Sequence, residues 1–138
     1  MKRDEQLVPL SHDHHKALVI ANRINHKASK ESSDLDTCWQ EVRGDFAAEL
    51  LAHFSIEEQC LLPLLRKVVE GSALEDRLLL EHKNLKLLLT NAKRDAAYQF
   101  AALLKAHVRF EERELFPCLE SHYTTEELET AMGHQFTS

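Results

Sequence analysis

Residues 53–65, HFSIEEQCLLPLL, return 54 positions later as HVRFEERELFPCL over residues 107–119. The matched pairs are His53/His107, Glu57/Glu111, Glu58/Glu112, Leu61/Leu115, Pro63/Pro117 and Leu65/Leu119. Each copy sets an imidazole and a carboxylate four residues apart inside an apolar run. On a helix that offset turns a side chain by only about 40° and advances it one turn, so both groups share a face. Carboxylates are almost never fully buried unless they are paired or bind a metal. A chain that folds with both copies inward must therefore bring four polar groups together and neutralise them there.

The rest of the chain offers mainly helices to build this from. Only three Gly and three Pro interrupt 138 residues, and Leu, Ala, Glu and Lys abound. That length suits one domain spanning 1–138. Pro9 and Ser11 precede an apolar-periodic run to Ala28, with Ser11 as the expected N-cap, and SKESSDLD over 29–36 reads as a polar connector. A second helix is expected from Thr37 to Val69, bent at Pro63, with Gly71 as its C-terminal cap. Ser72 with Glu75 suggests a capping box for a third helix that fades near Asn91. Asp95 is expected to cap a fourth helix running to Glu120, and Thr124 with Glu127 to open a short terminal helix that Gly133 stops.

Each long segment carries one apolar stripe. The stripes are Leu7, Leu10, Ala17, Ala21 and Ile24; Phe46, Leu50, His53, Glu57, Cys60 and Leu64; Leu78, Leu85, Leu89 and Ala92 around His82; and Phe100, Leu104, His107, Glu111 and Cys118. The expected fold is all-α, an antiparallel up-down-up-down four-helix bundle with a short C-terminal helix.

Several function classes are excluded. A net charge of −6 without a Lys/Arg block argues against nucleic acid. The start of the chain has no apolar leader, and no stretch approaches the ~18 consecutive apolar residues of a membrane span, so a cytoplasmic protein with no membrane partner is expected. Cys38, Cys60 and Cys118 are odd in number and widely spaced, which speaks against a disulfide framework or a zinc knuckle.

A pair of metal ions would resolve the buried polar groups. Imidazoles supply terminal nitrogen ligands, and two carboxylates bridge two cations while staying ionised. His82 lies on the third stripe, and the first helix offers His12, His14 and His15. Periodicity favours His14, nearer the centre of its stripe, with His15 as the alternative. Glu58 and Glu112 fall about 140° from their His and read as solvated. Glu114, one heptad after His107, is expected to face inward as a further partner or ligand. His26, His122 and His134 read as surface residues, and Cys60 and Cys118 as small apolar core residues. A lone His on an apolar face is commonly a hydrogen-bonded core residue, and a single His-x-x-x-Glu pair commonly a salt link. The duplication, matched by His on both other stripes, raises the pattern above either reading.

With DHH at 13–15, HFSIEE at 53–58, LEH at 80–82 and HVRFEE at 107–112, the sequence resembles the hemerythrin-like, or HHE cation-binding, family over nearly the whole chain. The resemblance implies two non-haem iron ions, with manganese or zinc as substitutes and a bridging oxo, hydroxo or water group. It carries the metal-ligand role onto His14 or His15, His53, Glu57, His82, His107 and Glu111, with Glu57 and Glu111 as bridges. The family includes oxygen carriers, oxygen or nitric oxide sensors, iron-sensing domains and proteins implicated in iron–sulfur cluster repair. Oxygen carriers place a second His one turn before the third-helix ligand, where this chain has Leu78. They also space the last His and its Asp bridge five apart, where Glu111 follows His107 by four. These departures point away from reversible oxygen carriage.

Three functions follow as expectations. The first is a binding protein that takes a small diatomic or peroxide ligand for sensing or handling. The second is iron–sulfur cluster repair, iron donation or detoxification of reactive oxygen and nitrogen species. The third is a metal-free helical interaction module. No protein partner is indicated.

Overall fold

The computed structural model describes residues 2–29 and 34–133, so the middle of the expected 29–36 connector and His134 lie outside the described residues. Helix one, Val8–Ser29, begins earlier than its sequence suggests. Pro9 occupies the first turn, where a missing N–H leaves no bond unmade. Asp4, not Ser11, organises the start: its Oδ1 accepts from the Gln6 N–H at 2.9 Å and its carbonyl from Leu7. Ser11 is already inside the helix, and its hydroxyl donates to Glu112 at 2.7 Å.

Helix two is a rod of α-helical pieces, Asp34–Glu41, Ala47–Ile56 and Leu62–Leu65, joined through wider π-turns at Val42–Phe46 and Glu57–Leu61. Asp34 and Asp36 in its first turn suit the positive end of the helix dipole, which carries the start ahead of Thr37. The N–H of Leu62 reaches back five residues to the Glu57 carbonyl, so Pro63 stands in the first turn of a fresh α segment and the rod continues through it. The repeat behaves identically: Phe116 donates to the Glu111 carbonyl, and Pro117 follows. Each proline thus marks a change of pitch just after the inward glutamate.

Helix two ends at Leu65 rather than Val69, and Gly71 does not cap it. Gly71 opens helix three, Gly71–Leu89, and its role is close approach: a Cβ there would lie 1.8 Å from the Leu65 carbonyl oxygen. With Glu70 rather than Ser72 at the N-cap and no side-chain cap bond, the expected capping box does not form. Ala92 lies beyond the helix and is exposed. Helix four comprises Arg94–Phe110, a π-turn at Glu111–Leu115, and Phe116–His122. Lys93 precedes it in extended conformation, held by Asn91 Oδ1, so Asp95 serves in the first turn and not as the cap. Helix five, Thr125–Met132, has the expected capping box between Thr124 and Glu127, and Gly133 stops it at φ 60°.

These elements form an all-α four-helix bundle with a short C-terminal helix and no strand among the described residues. Among the described residues, no helix is long and apolar enough to cross a membrane. The apolar interior is in two parts. One contains Ala17, Ala21 and Ile24 of helix one with Trp39, Phe46, Leu50, Leu85, Phe100 and Leu104. The other contains Leu7 and Leu10 with Leu61, Leu65, Leu78, Leu115, Phe116 and Leu128. Between them, in helices one to four, lie the buried His14, His53, Glu57, His82, His107 and Glu111. A polar layer crosses the bundle.

Candidate metal centre

Two groups of side chains converge in that layer. His14, His53, Glu57 and Glu111 bring ligand atoms within 4.8 Å of one another, and so do Glu57, His82, His107 and Glu111. Both glutamates belong to both groups, and both are fully buried. On the first side, His14 Nε2 lies 2.5 Å from Glu111 Oε1, and His53 Nε2 lies 3.3 Å from Glu57 Oε2. On the second, His82 Nε2 lies 3.0 Å from Glu57 Oε1, and His107 Nε2 lies 3.6 Å from Glu111 Oε2. Each imidazole therefore turns Nε2 inward.

The opposite nitrogen of every ring meets a second carboxylate. His14 Nδ1 lies 2.6 Å from Glu112, His53 Nδ1 2.9 Å from Asp13, His82 Nδ1 2.8 Å from Glu58, and His107 Nδ1 2.7 Å from Glu81. An ionised carboxylate only accepts, so Nδ1 carries the proton in each ring. The pairing is cyclic. Helix one supports the imidazole of helix two, helix two that of helix three, helix three that of helix four, and helix four that of helix one. Such outer partners fix ring orientation and raise the basicity of the inward nitrogen. Cations stand behind three of them: Arg3 on Glu112 at 3.1 Å, Arg77 on Glu81 at 2.9 Å and Lys86 near Glu58 at 3.7 Å. Aromatic rings brace two imidazoles, with Phe116 stacked on His14 and Phe54 on His82 at 3.9 Å between centroids.

The electrostatics follow from this crowding. Burial, the largest single influence, would lower the pKa of His14, but the carboxylates of Glu111, Glu112 and Glu57 together outweigh it and push the value up to about 9. For His53, burial is likewise overcome by Glu57, helped by Asp13, and the value rises to about 12. His107 is raised in the same way against its burial, chiefly by Glu111. Glu111, which burial would raise, is instead held well below the usual carboxylate range by His107 and its other neighbours. Glu111 is thus held ionised in the layer.

Hydrogen bonding alone does not satisfy it. His53 Nε2, Glu57 Oε2, His107 Nε2 and Glu111 Oε2 are buried without a hydrogen-bond partner. These are the inward atoms of the two His-x-x-x-Glu pairs in the repeated stretch. Their separations of 3.3 and 3.6 Å resemble the ~3 Å between neighbouring ligands that share one ion bound at ~2.1 Å. A buried orphan is costly, and a shared cation satisfies nitrogen and oxygen together. Four imidazoles and two bridging-capable carboxylates fit a pair of divalent ions, and the two clusters are consistent with a diiron site or another divalent metal pair.

The helix-one candidates separate clearly: His14 is buried in the layer, whereas His15 is exposed. Three expectations need correction. Glu58 and Glu112 are not simply solvated; each is partly buried and holds an imidazole. Glu114 does not face inward but is 54% exposed and pairs with Arg77. Leu115 and Phe116 take the inner positions there. Cys118 is only partly buried. The overlooked contributors are Asp13 and Glu81, along with Glu58 and Glu112. All four adjoin an inward residue in sequence, as Asp13-His14, Glu57-Glu58, Glu81-His82 and Glu111-Glu112. That adjacency was the available signal.

A cavity of about 210 Å³ reaches the layer from one side, lined by His14, His53 and His107 and by Phe46, Leu50, Phe54, Leu104 and Val108. Lys16 and Glu49, paired at 2.5 Å, stand at its exposed edge.

Bundle and layer together define a His- and Glu-rich protein with a diiron-type site. The family described as "Hemerythrin HHE cation binding domain" matches residues 7–119, and the chain belongs to it. Comparison with curated proteins and with solved structures returned no match.

Proposed function

We propose that the protein holds two iron ions in the polar layer and takes up a small ligand there, such as oxygen, nitric oxide or a related species, to sense or handle it. The observation that carries this reading is the set of four orphaned inward atoms, one imidazole nitrogen and one carboxylate oxygen from each copy of the repeat. His14, His53, His82 and His107 would be terminal ligands, and Glu57 and Glu111 the bridges. Iron so held supplies redox and Lewis-acid chemistry and an exchangeable position for a ligand. The chain's own groups do the rest. The outer carboxylates keep Nδ1 protonated and Nε2 available, and Phe54 and Phe116 hold ring planes fixed. The apolar lining of the cavity favours a small, weakly polar ligand over water.

Leu78 supports handling or sensing over carriage. It is fully buried in the second apolar cluster, one turn from His82, where it contributes no donor. Six ligands would leave more than one position open on two metals. We place this chemistry in the cytoplasm, a reading supported by three cysteines that are free thiols. The test is anaerobic purification with iron quantification, then optical spectra on admission of oxygen or nitric oxide. Two irons per chain and a ligand-dependent spectrum are expected. A chain that retains no transition metal, or an iron-loaded chain blind to both gases, overturns the reading.

A further inference from the structure

Glu70, Cys118 and His122 form a second, smaller group of metal-type donors away from the polar layer. Cys118 and His122 are four residues apart on the last turns of helix four, so they share a face. Glu70 comes from the turn that enters helix three, and its Oε1 lies 2.5 Å from His122 Nε2. One ligand atom from each of the three residues lies within 4.8 Å of the other two. An exposed Glu–His pair stabilises little by itself and leaves the adjoining thiol unexplained. A thiolate, an imidazole and a carboxylate together form a donor set suited to a borderline divalent cation.

The surroundings hold these donors in register. Tyr123 Oη donates to the Leu64 carbonyl at 2.6 Å, which ties the end of helix four to the end of helix two. The Glu70 turn is pressed against Leu65 by the close approach at Gly71. The site also lies at the C-terminal end of helix four, where the dipole favours positive charge. With thiolate and carboxylate ionised and imidazole neutral, the donors carry two negative charges, matching one divalent ion.

We propose that Glu70, Cys118 and His122 bind a single zinc-class divalent cation, with a fourth position open to water, independently of the bundle centre. On binding, the thiol proton leaves to solvent and no electron is transferred.

The test is a titration of the full-length chain with cobalt(II), followed by the thiolate-to-cobalt charge-transfer absorption. Imidazole and carboxylate ligands do not produce that band, so the result does not depend on what the polar layer holds. The band is expected to saturate at the intensity of one thiolate-bound cobalt per chain, whatever cobalt the polar layer also takes, and to vanish in Cys118→Ser. His122→Gln and Glu70→Gln, both on exposed side chains, are expected to weaken binding at least about tenfold, the loss that even an outer partner of a ligand costs. Circular dichroism checks that each variant is folded. The proposal is overturned if the wild type gives no thiolate band at saturating cobalt, if Cys118→Ser keeps the band, or if the His122 and Glu70 variants titrate like the wild type.

Discussion

Glu112 of helix four accepts the Nδ1 proton of His14 of helix one at 2.6 Å and closes a ring in which each helix steadies the imidazole of the next. Around that ring, Asp13 serves His53, Glu58 serves His82 and Glu81 serves His107. Metal affinity is therefore expected to depend on residues that never reach the metal position.

Amide replacements of these outer acids, D13N, E58Q, E81Q and E112Q, are expected to weaken iron binding by roughly 10–100-fold. The largest loss should fall at Glu81, whose side chain is 12% exposed, and the smallest at Asp13, which is 51% exposed and shared with water. Competition against a chelator of known affinity measures the order. Uniform wild-type affinity across the series would dismiss the ring as packing.

The double variant E57Q/E111Q is expected to lose binding of two metals per chain, because an amide bridges cations poorly. Gln keeps the side-chain volume, so the bundle should remain helical. Metal analysis with circular dichroism decides this. Retention of both ions would show that the carboxylates are not the bridges.

His14→Ala should deplete iron, whereas His15→Ala should leave the iron content and spectrum unchanged, because only His14 enters the layer. The reverse result would require helix one to be turned by about 100°.

The raised imidazoles predict opposite pH responses for folding and for metal uptake. In chelator-treated protein, His14 and His53 have folded pKa values of about 9 and about 12, above the ~6.5 of an unfolded imidazole. Their contribution to stability is complete below pH ~6.5 and is lost as pH rises through those folded values. Thermal midpoints of the metal-free chain should therefore decline from near-neutral to alkaline pH. Metal must displace the same protons, so affinity should rise over that range, and adding iron(II) near pH 7 should release protons. Glu111 works in the other direction: its depressed pKa preserves its contribution until pH falls through the folded value. Melting curves and proton-release measurements read both trends.

Gly71→Ala would stabilise an unconstrained helix by roughly 1 kcal/mol through propensity alone. Here the added methyl would meet the Leu65 carbonyl at 1.8 Å, and a net loss of about 1–3 kcal/mol is expected. Chemical denaturation gives the sign directly.

Much of the interior was legible in the primary structure. The stripes through Leu10 and Ala17, Leu50 and Leu64, Leu78 and Leu85, and Phe100 and Leu104 are buried as their period implies. The helix ends were less legible. Ser11, Ser72 and Asp95 resemble caps, but a helix can begin wherever neighbouring backbone or another side chain satisfies its free N–H groups. Glu114 shows the limit of a fixed period. Cys60 occupies the same offset in the other copy and is buried, with the Met132 carbonyl of helix five 3.9 Å away; Glu114 instead meets Arg77 at the surface.

Local spacing determined the inner layer, because i,i+4 geometry aligns His53 with Glu57 and His107 with Glu111 in any helix containing them. Only the assembled bundle decided the outer layer. Asp13, Glu58, Glu81 and Glu112 sit about 100° from their inward neighbours, a face that a single helix presents to water. Packing turns that face into a seam with the next helix, where a carboxylate meets an Nδ1 from a different part of the chain. Hydrogen bonds across such seams depend on which helices become neighbours, which the periodicity of one helix does not encode.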